Sequence, residues 1–245
     1  MSRLLEVCVE TPAGLMAARD GGADRIELCS ALALGGLTPS YGLMRFAAKT
    51  GLPTRAMIRP HADGFVYDAD DLDLMLADID AARDAGLDGV VIGALTPAGH
   101  LDVDLLDRLL RHAAGLKTTL HRAVDLLDDP LMAVDFAADR GMDAILTSGG
   151  AQSAPLGLTT ILAMHEAAAG HVQIMAGAGV TAANVAPLLA GGVSALHASC
   201  SRPAPTTDDR AAAFGFIARA PRQTDRDLVR ALRASVDAAD KDPIS

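Results

Sequence analysis

The chain has no tryptophan, and aromatic residues make up only 3% of its 245 positions. Stacking platforms for bases or sugars are therefore not expected. Basic residues are also scarce: 21 against 31 acids, for a net charge of −10. A nucleic-acid partner, which needs a basic face, is disfavoured. Three cysteines, an odd number, do not make a disulfide framework. No apolar run approaches the ~20 residues of a membrane span. Glu6 and Glu10 break up the opening apolar stretch, so no signal peptide and no membrane partner are expected. A cytoplasmic location is the expectation.

Lysine is rarer still: Lys49, Lys117 and Lys241. Lys117 opens a strand-like run, and none of the three ends one. Schiff-base chemistry, which needs a buried lysine at a site, is thereby disfavoured.

What is present is an alternation of strand-like and helix-like runs. The strands read as 4–10, 25–28, 54–59, 89–93, 117–121, 144–147, 172–176 and 194–198. Amphipathic stretches separate them. Leu72, Met75, Leu76 and Ile79 share one helical face, and Leu228, Leu232 and Val236 share another in a last helix over 225–239. Thr11-Pro12, Thr38-Pro39 and Asp129-Pro130 read as helix starts. Gly22, Gly51, Gly86 and Gly141 read as helix stops. A weak repeat at 22–28, 86–92 and 141–147, echoed at 192–196, places a glycine stop, a turn and a buried strand in succession. Eight βα units predict an α/β fold, a (β/α)₈ TIM-like barrel forming a single domain over 1–245; an open doubly wound sheet is the alternative. The stretch 201–224 reads as a long loop, either a lid or a slack connection.

Side chains alternate across a strand. Val7, Val9, Ile26 and Leu28 share one parity; Glu6, Cys8, Glu10, Arg25, Glu27 and Cys29 share the other. A strand that only filled a core would not carry carboxylates there. The pattern predicts an outer face packed on helices and an inner face bearing chemistry. Arg55, Met57 and Arg59 form a similar set, as do Thr119 with His121, and His197 with Ser199. Charges at this depth need partners, and Glu6 and Glu27 are expected to pair with Arg55 and Arg59.

Sites in such barrels lie at the strands' C-terminal ends. Glu27, His121 and His197 are the candidate acid–base residues, or holders of a divalent ion. Arg59, Arg122 and Asp125 are candidates for binding an anion, with the loops carrying Ser148, Gly149, Gly177 and Gly179 offering backbone N–H groups. Cys8 and Cys29 fall on adjacent strands, about 4.8 Å apart, where two thiolates would suit Cu(I).

These residues resemble the CutC family of copper homeostasis proteins. The matching segments are 5–9, 21–29, 35–40, 57–60, 91–96, 121–125 and 146–150, in family order. The sequence departs at 61–65, His-Ala-Asp-Gly-Phe where the family usually has Arg-Gly-Gly-Asp-Phe, and at 177–179, Gly-Ala-Gly for Gly-Gly-Gly. The resemblance implies a TIM-like barrel, homodimeric and cytoplasmic, linked to copper handling. It also implies copper ligation by Cys8 and Cys29. The residues by themselves point to an alternative, a TIM-barrel enzyme that acts on a small anionic or phosphorylated substrate by acid–base chemistry.

Overall fold

The computed structural model describes residues 3–205, 208–217 and 220–241. Eight parallel strands close into a barrel in chain order: β1 (Leu4–Val9), β2 (Arg25–Leu28), β3 (Thr54–Met57), β4 (Gly89–Ile92), β5 (Lys117–Leu120), β6 (Ala144–Thr147), β7 (Gln173–Ala176) and β8 (Ala195–Ala198). The expected strands are all present, some shorter by one or two residues. The helices are α1 (Pro12–Gly21), α2 (Tyr41–Ala48), α3 (Ala69–Ala85), α4 (Val103–His112), α5 (Met132–Asp139), α6 (Leu158–Ala168), α7 (Ala186–Ala190), α8 (Asp209–Ala213) and α9 (Arg226–Lys241).

The apolar parity of the strands faces the helices. Val7, Val9, Ile26 and Leu28 are fully buried, in one cluster with Leu15 and Ala18 of α1 and Val229 and Leu232 of α9. Each such side chain contributes about 1.5–3 kcal/mol by leaving water. A smaller apolar set packs together separately, Leu146, Met175 and Ala195 with Leu4, and Leu146 reaches the cavity at the barrel mouth.

Thr11 caps α1 through its hydroxyl, with Pro12 at the first position. The other two expected starts are displaced. The cap of α2 is Ser40, because Thr38 is drawn alongside Arg59: its hydroxyl accepts the Arg59 N–H at 2.9 Å and its own N–H donates to the Arg59 carbonyl. Pro39 further disfavours helical backbone at Thr38. Asp129 spends its carboxylate on the Leu131 N–H in a turn, and α5 begins only at Met132.

The described residues of the stretch 201–224 form more than a loop. β9 (Ser201–Pro203) and β10 (Arg222–Thr224) pair antiparallel, with the short α8 between them. β10 packs on α1, and Asp225, ion-paired with Arg202, caps α9.

Strand register is what builds the mouth. Glu6 of β1 lies level with Arg25 on β2 and with His197 on β8. Cys8, two residues further along the same face, lies level with Glu27.

Candidate functional site at the barrel mouth

A cavity of about 400 Å³ opens at the C-terminal ends of the strands, a size typical of small-ligand sites. Its polar lining includes Cys8, Glu27, Arg59, His121, Arg122 and His197. Asp125 and Ser199 also reach it, with Met57 and Phe65 as apolar wall. Cys29, Ser148, Gly149, Gly177 and Gly179 do not line it.

The floor is an ionic chain. Arg25 donates to Glu6 Oε2 at 2.5 Å, and His197 Nδ1–H donates to Glu6 Oε1 at 2.8 Å. Glu6 is fully buried. Burial alone would raise its carboxyl; the His197 hydrogen bond and the Arg25 charge overcome this and bring it down to about 2. Burial likewise opposes charge on His197, yet Glu27, Cys8 and Glu6 together lift it well above the ordinary histidine range. His197 is therefore a cation held between carboxylates, its Nε2 3.8 Å from Glu27 Oε2. Glu27 is pushed up by burial, only partly offset by His197. Its Oε1 has no hydrogen-bond partner.

The pairings differ from those the sequence led us to expect. Glu6 takes Arg25 rather than Arg55. Arg55 instead donates to Thr119 Oγ1 at 2.6 Å, with Asp88 3.8 Å away at the opposite rim. Arg59 is held by backbone carbonyls of Leu34, Gly36 and Ala62, at 2.8, 3.1 and 3.3 Å, and its guanidinium stacks on Phe65. Phe65 was missed: it lies in a loop, outside the strand parity that flagged the other residues. Arg25 carried the inner parity, but only register reveals its partner.

His121 follows β5 and begins a short 3₁₀ turn, Arg122–Leu126. Its Nδ1 accepts the Ala123 N–H at 3.1 Å, which fixes the proton on Nε2. Burial drives its pKa down to about 4, and the Arg59 charge adds to that. Nε2 has no partner. The ring lies against Gly93, where any Cβ would collide with it, and 4.9 Å from the Phe65 ring centroid.

The expected anion loop after β6 is already occupied by the protein's own carboxylate. Asp125 accepts from the Ser148 N–H (2.9 Å), the Ser148 hydroxyl (2.8 Å), the Thr147 hydroxyl (2.6 Å) and the Gly150 N–H (3.2 Å). The Gly149 N–H donates to Thr147 Oγ1, and Arg122 bridges Asp125 and Ser148. Asp125 thus staples the β6 loop to the His121 turn. After β7, Gly177 is in close contact with Leu146 and His197, leaving no room for a side chain, and Gly179 lies beyond it with φ +71°.

Among the described residues, one group of three brings metal-ligand atoms within 4.8 Å of one another: Cys8, Glu27 and His197, all buried. His121 is not a member. Cys29 is not one either: its sulfur lies 3.5 Å from Glu27 Oε2, in a patch with Met57 and Val91. The donor set is compatible with copper. Cys8 offers sulfur and His197 an imidazole nitrogen, both good copper ligands, with Glu27 as a harder third. Glu6 on Nδ1 leaves Nε2 free to ligate, the usual carboxylate–histidine support of a metal site.

The profile of the CutC family matches residues 3–202. The chain belongs to the CutC family. A CutC-family protein of Rhizobium meliloti (strain 1021) is 51% identical, covering 97% of this chain and 98% of its own length. One from Caulobacter vibrioides (strain NA1000 / CB15N) is 50% identical over 94% and 97%. A solved CutC structure from Streptococcus agalactiae, named for copper homeostasis, superposes with a TM-score of 0.76 at 32% identity, covering 80% of this chain and 98% of that one. The CutC barrel is thus the frame in which the mouth residues stand. No helix among the described residues is long and apolar enough to cross a membrane.

Proposed function

We propose that this member of the CutC family handles copper, holding Cu(I) at the cavity floor through Cys8 Sγ and His197 Nε2, with Glu27 as a third ligand. The observation that carries the reading is the buried cluster of sulfur, imidazole and carboxylate around one point. The copper homeostasis name of the Streptococcus agalactiae relative supports it. Bound copper would satisfy the unpartnered Glu27 carboxylate and displace the proton that His197 carries. A ligand role for Cys29 rests on the family resemblance; its sulfur lies 3.5 Å from Glu27 Oε2 and does not line the cavity. A reducing cytoplasm suits a protein whose three cysteines are all free, and the resemblance adds a homodimer, which the mass in solution tests.

The copper reading is tested by Cu(I) titration against a competing chelator under reducing conditions. Cys8→Ser combined with His197→Gln is expected to weaken binding at least ~100-fold, the scale on which metal sites respond to loss of their supports. Binding that survives both substitutions would remove the proposed centre.

A second reading is favoured by the other wall of the cavity. Arg59, His121 and Arg122 line it, a composition suited to a small anionic or phosphorylated organic ligand. We infer an enzyme working by acid–base chemistry as the alternative. Thermal stabilisation by small organic anions that is lost in Arg59→Ala supports it; no stabilisation by any of them counts against it.

A further inference from the structure

The second reading leaves the reaction unnamed, and two features of the cavity wall narrow it. Three buried residues that line it keep one polar atom without a hydrogen-bond partner: Glu27 Oε1, Arg59 Nε and His121 Nε2. Such buried orphans are costly unless a ligand completes them. Arg59 Nε is a cation's N–H that suits an anionic group; Glu27 and His121, each about 3% exposed, are opposite in kind. Glu27 offers an acceptor. His121 offers a donor, because its Nδ1 lone pair is taken by the Ala123 N–H. The ring cannot easily turn to exchange these roles, since Gly93 on one side and Phe65 on another confine it.

A neutral imidazole N–H held in a fixed direction is suited to a carbonyl oxygen that gains negative charge during reaction. A carboxylate facing the same small space is suited to removing a proton from the adjacent carbon. Resting on the enzyme reading, we propose that the cavity catalyses proton transfer at the carbon beside a carbonyl of a small α-hydroxy carbonyl compound, with Glu27 as base and His121 Nε2–H as donor to the carbonyl oxygen. Glu27 Oε1 takes the α-hydrogen as a proton. The C–H electron pair becomes the C=C bond of an enediolate, and the carbonyl π pair moves onto oxygen, where His121 donates to it. Return of the proton to the same carbon restores the compound with solvent hydrogen. Return to the neighbouring carbon, with the hydroxyl proton passing to the former carbonyl oxygen, moves the carbonyl by one position. No oxidant or reductant enters. Arg122, its side chain 41% exposed beside the cavity, is placed to meet an anionic tail.

The test is hydrogen exchange followed by proton NMR in D₂O. The full chain, freed of metal by a chelator, is incubated with dihydroxyacetone, dihydroxyacetone phosphate and hydroxypyruvate. Loss of the α C–H signal is expected at least ~100-fold faster than without protein for one or more of them, the lower end for a positioned acid–base pair. Glu27→Gln should return the rate to background. His121→Phe should do the same, while His121→Gln, which keeps an amide N–H donor, should retain part of it; a merely structural role would not make that distinction. Absence of exchange with all three compounds overturns the proposal, as does exchange that persists in Glu27→Gln. Stabilisation by the anionic compounds without exchange would overturn this proposal and leave the enzyme reading standing. Neither stabilisation nor exchange would remove both.

Discussion

His197 near the end of β8 and His121 just past β5 share one cavity and are both buried, yet their surroundings push their pKa values in opposite directions. Burial disfavours the imidazolium at each. At β8 it is outweighed, because the register of β1 sets Glu6 beside His197 and that of β2 brings Glu27 close. At β5, among the described residues, no acid is paired with the ring: Gly93 and Phe65 lie against it, the Arg59 charge opposes protonation, and a backbone N–H occupies its Nδ1. The same residue type becomes a cation or a neutral donor according to what the adjoining strands place next to it. One side of the mouth is thereby suited to gathering a metal, the other to donating to an oxygen.

The largest expected effect comes from breaking the charged side. Glu6→Gln leaves Arg25 and His197 buried without their anion, and should cost about 3–5 kcal/mol in urea unfolding. A cost under ~1 kcal/mol would mean that the ionic chain does not set the state of His197.

The neutral side predicts a pH signature. His121 titrates at about 4 when folded and at 6.5 without its surroundings. Between those values the unfolded chain binds the proton and the folded chain does not, so stability falls as pH falls through this window. The loss attributable to His121 is about 3 kcal/mol. His121→Gln has no such proton to bind, and its stability should vary less across the window. Equal slopes for wild type and variant would contradict a neutral His121. Glu6 acts in the same direction at lower pH: its folded value of about 2 makes it a further source of acid lability below its ordinary 4.5.

Smaller changes sharpen the contrast. Gly93→Ala drives a methyl into the His121 ring and should cost about 1–3 kcal/mol, with copper affinity unchanged; an effect on copper would mean that the two sides are coupled. Arg122→Ala removes the partly exposed partner of Asp125, which keeps its Thr147, Ser148 and Gly150 donors, and should cost about 1 kcal/mol or less.

Much of this frame was legible in residue order. Alternation in 4–10 and 25–29 separated the faces, and glycine stops before buried strands marked the βα units. Strand parity selected Cys8, Glu27, Arg59, His121 and His197, all of which line the cavity. What alternation cannot carry is register and loop path. The pairing of Glu6 with Arg25 depends on which residues lie level across strands. Ser148 and Gly149 sit in a loop whose N–H groups looked available, yet Asp125, more than twenty residues earlier in the chain, already fills that loop. Cys29 shares parity with Cys8, but is two residues beyond the level of Glu27, and packs with Met57 and Val91 rather than lining the cavity.

The measurement that tests the central claim most directly is Cu(I) competition titration of Cys8→Ser and Cys29→Ser side by side, each checked for folding. If the sulfur on the cavity wall holds the ion, Cys8→Ser loses at least ~100-fold in affinity and Cys29→Ser stays within a few-fold of the parent. Undiminished affinity in Cys8→Ser, or collapse in Cys29→Ser alone, would contradict a centre built from Cys8, His197 and Glu27.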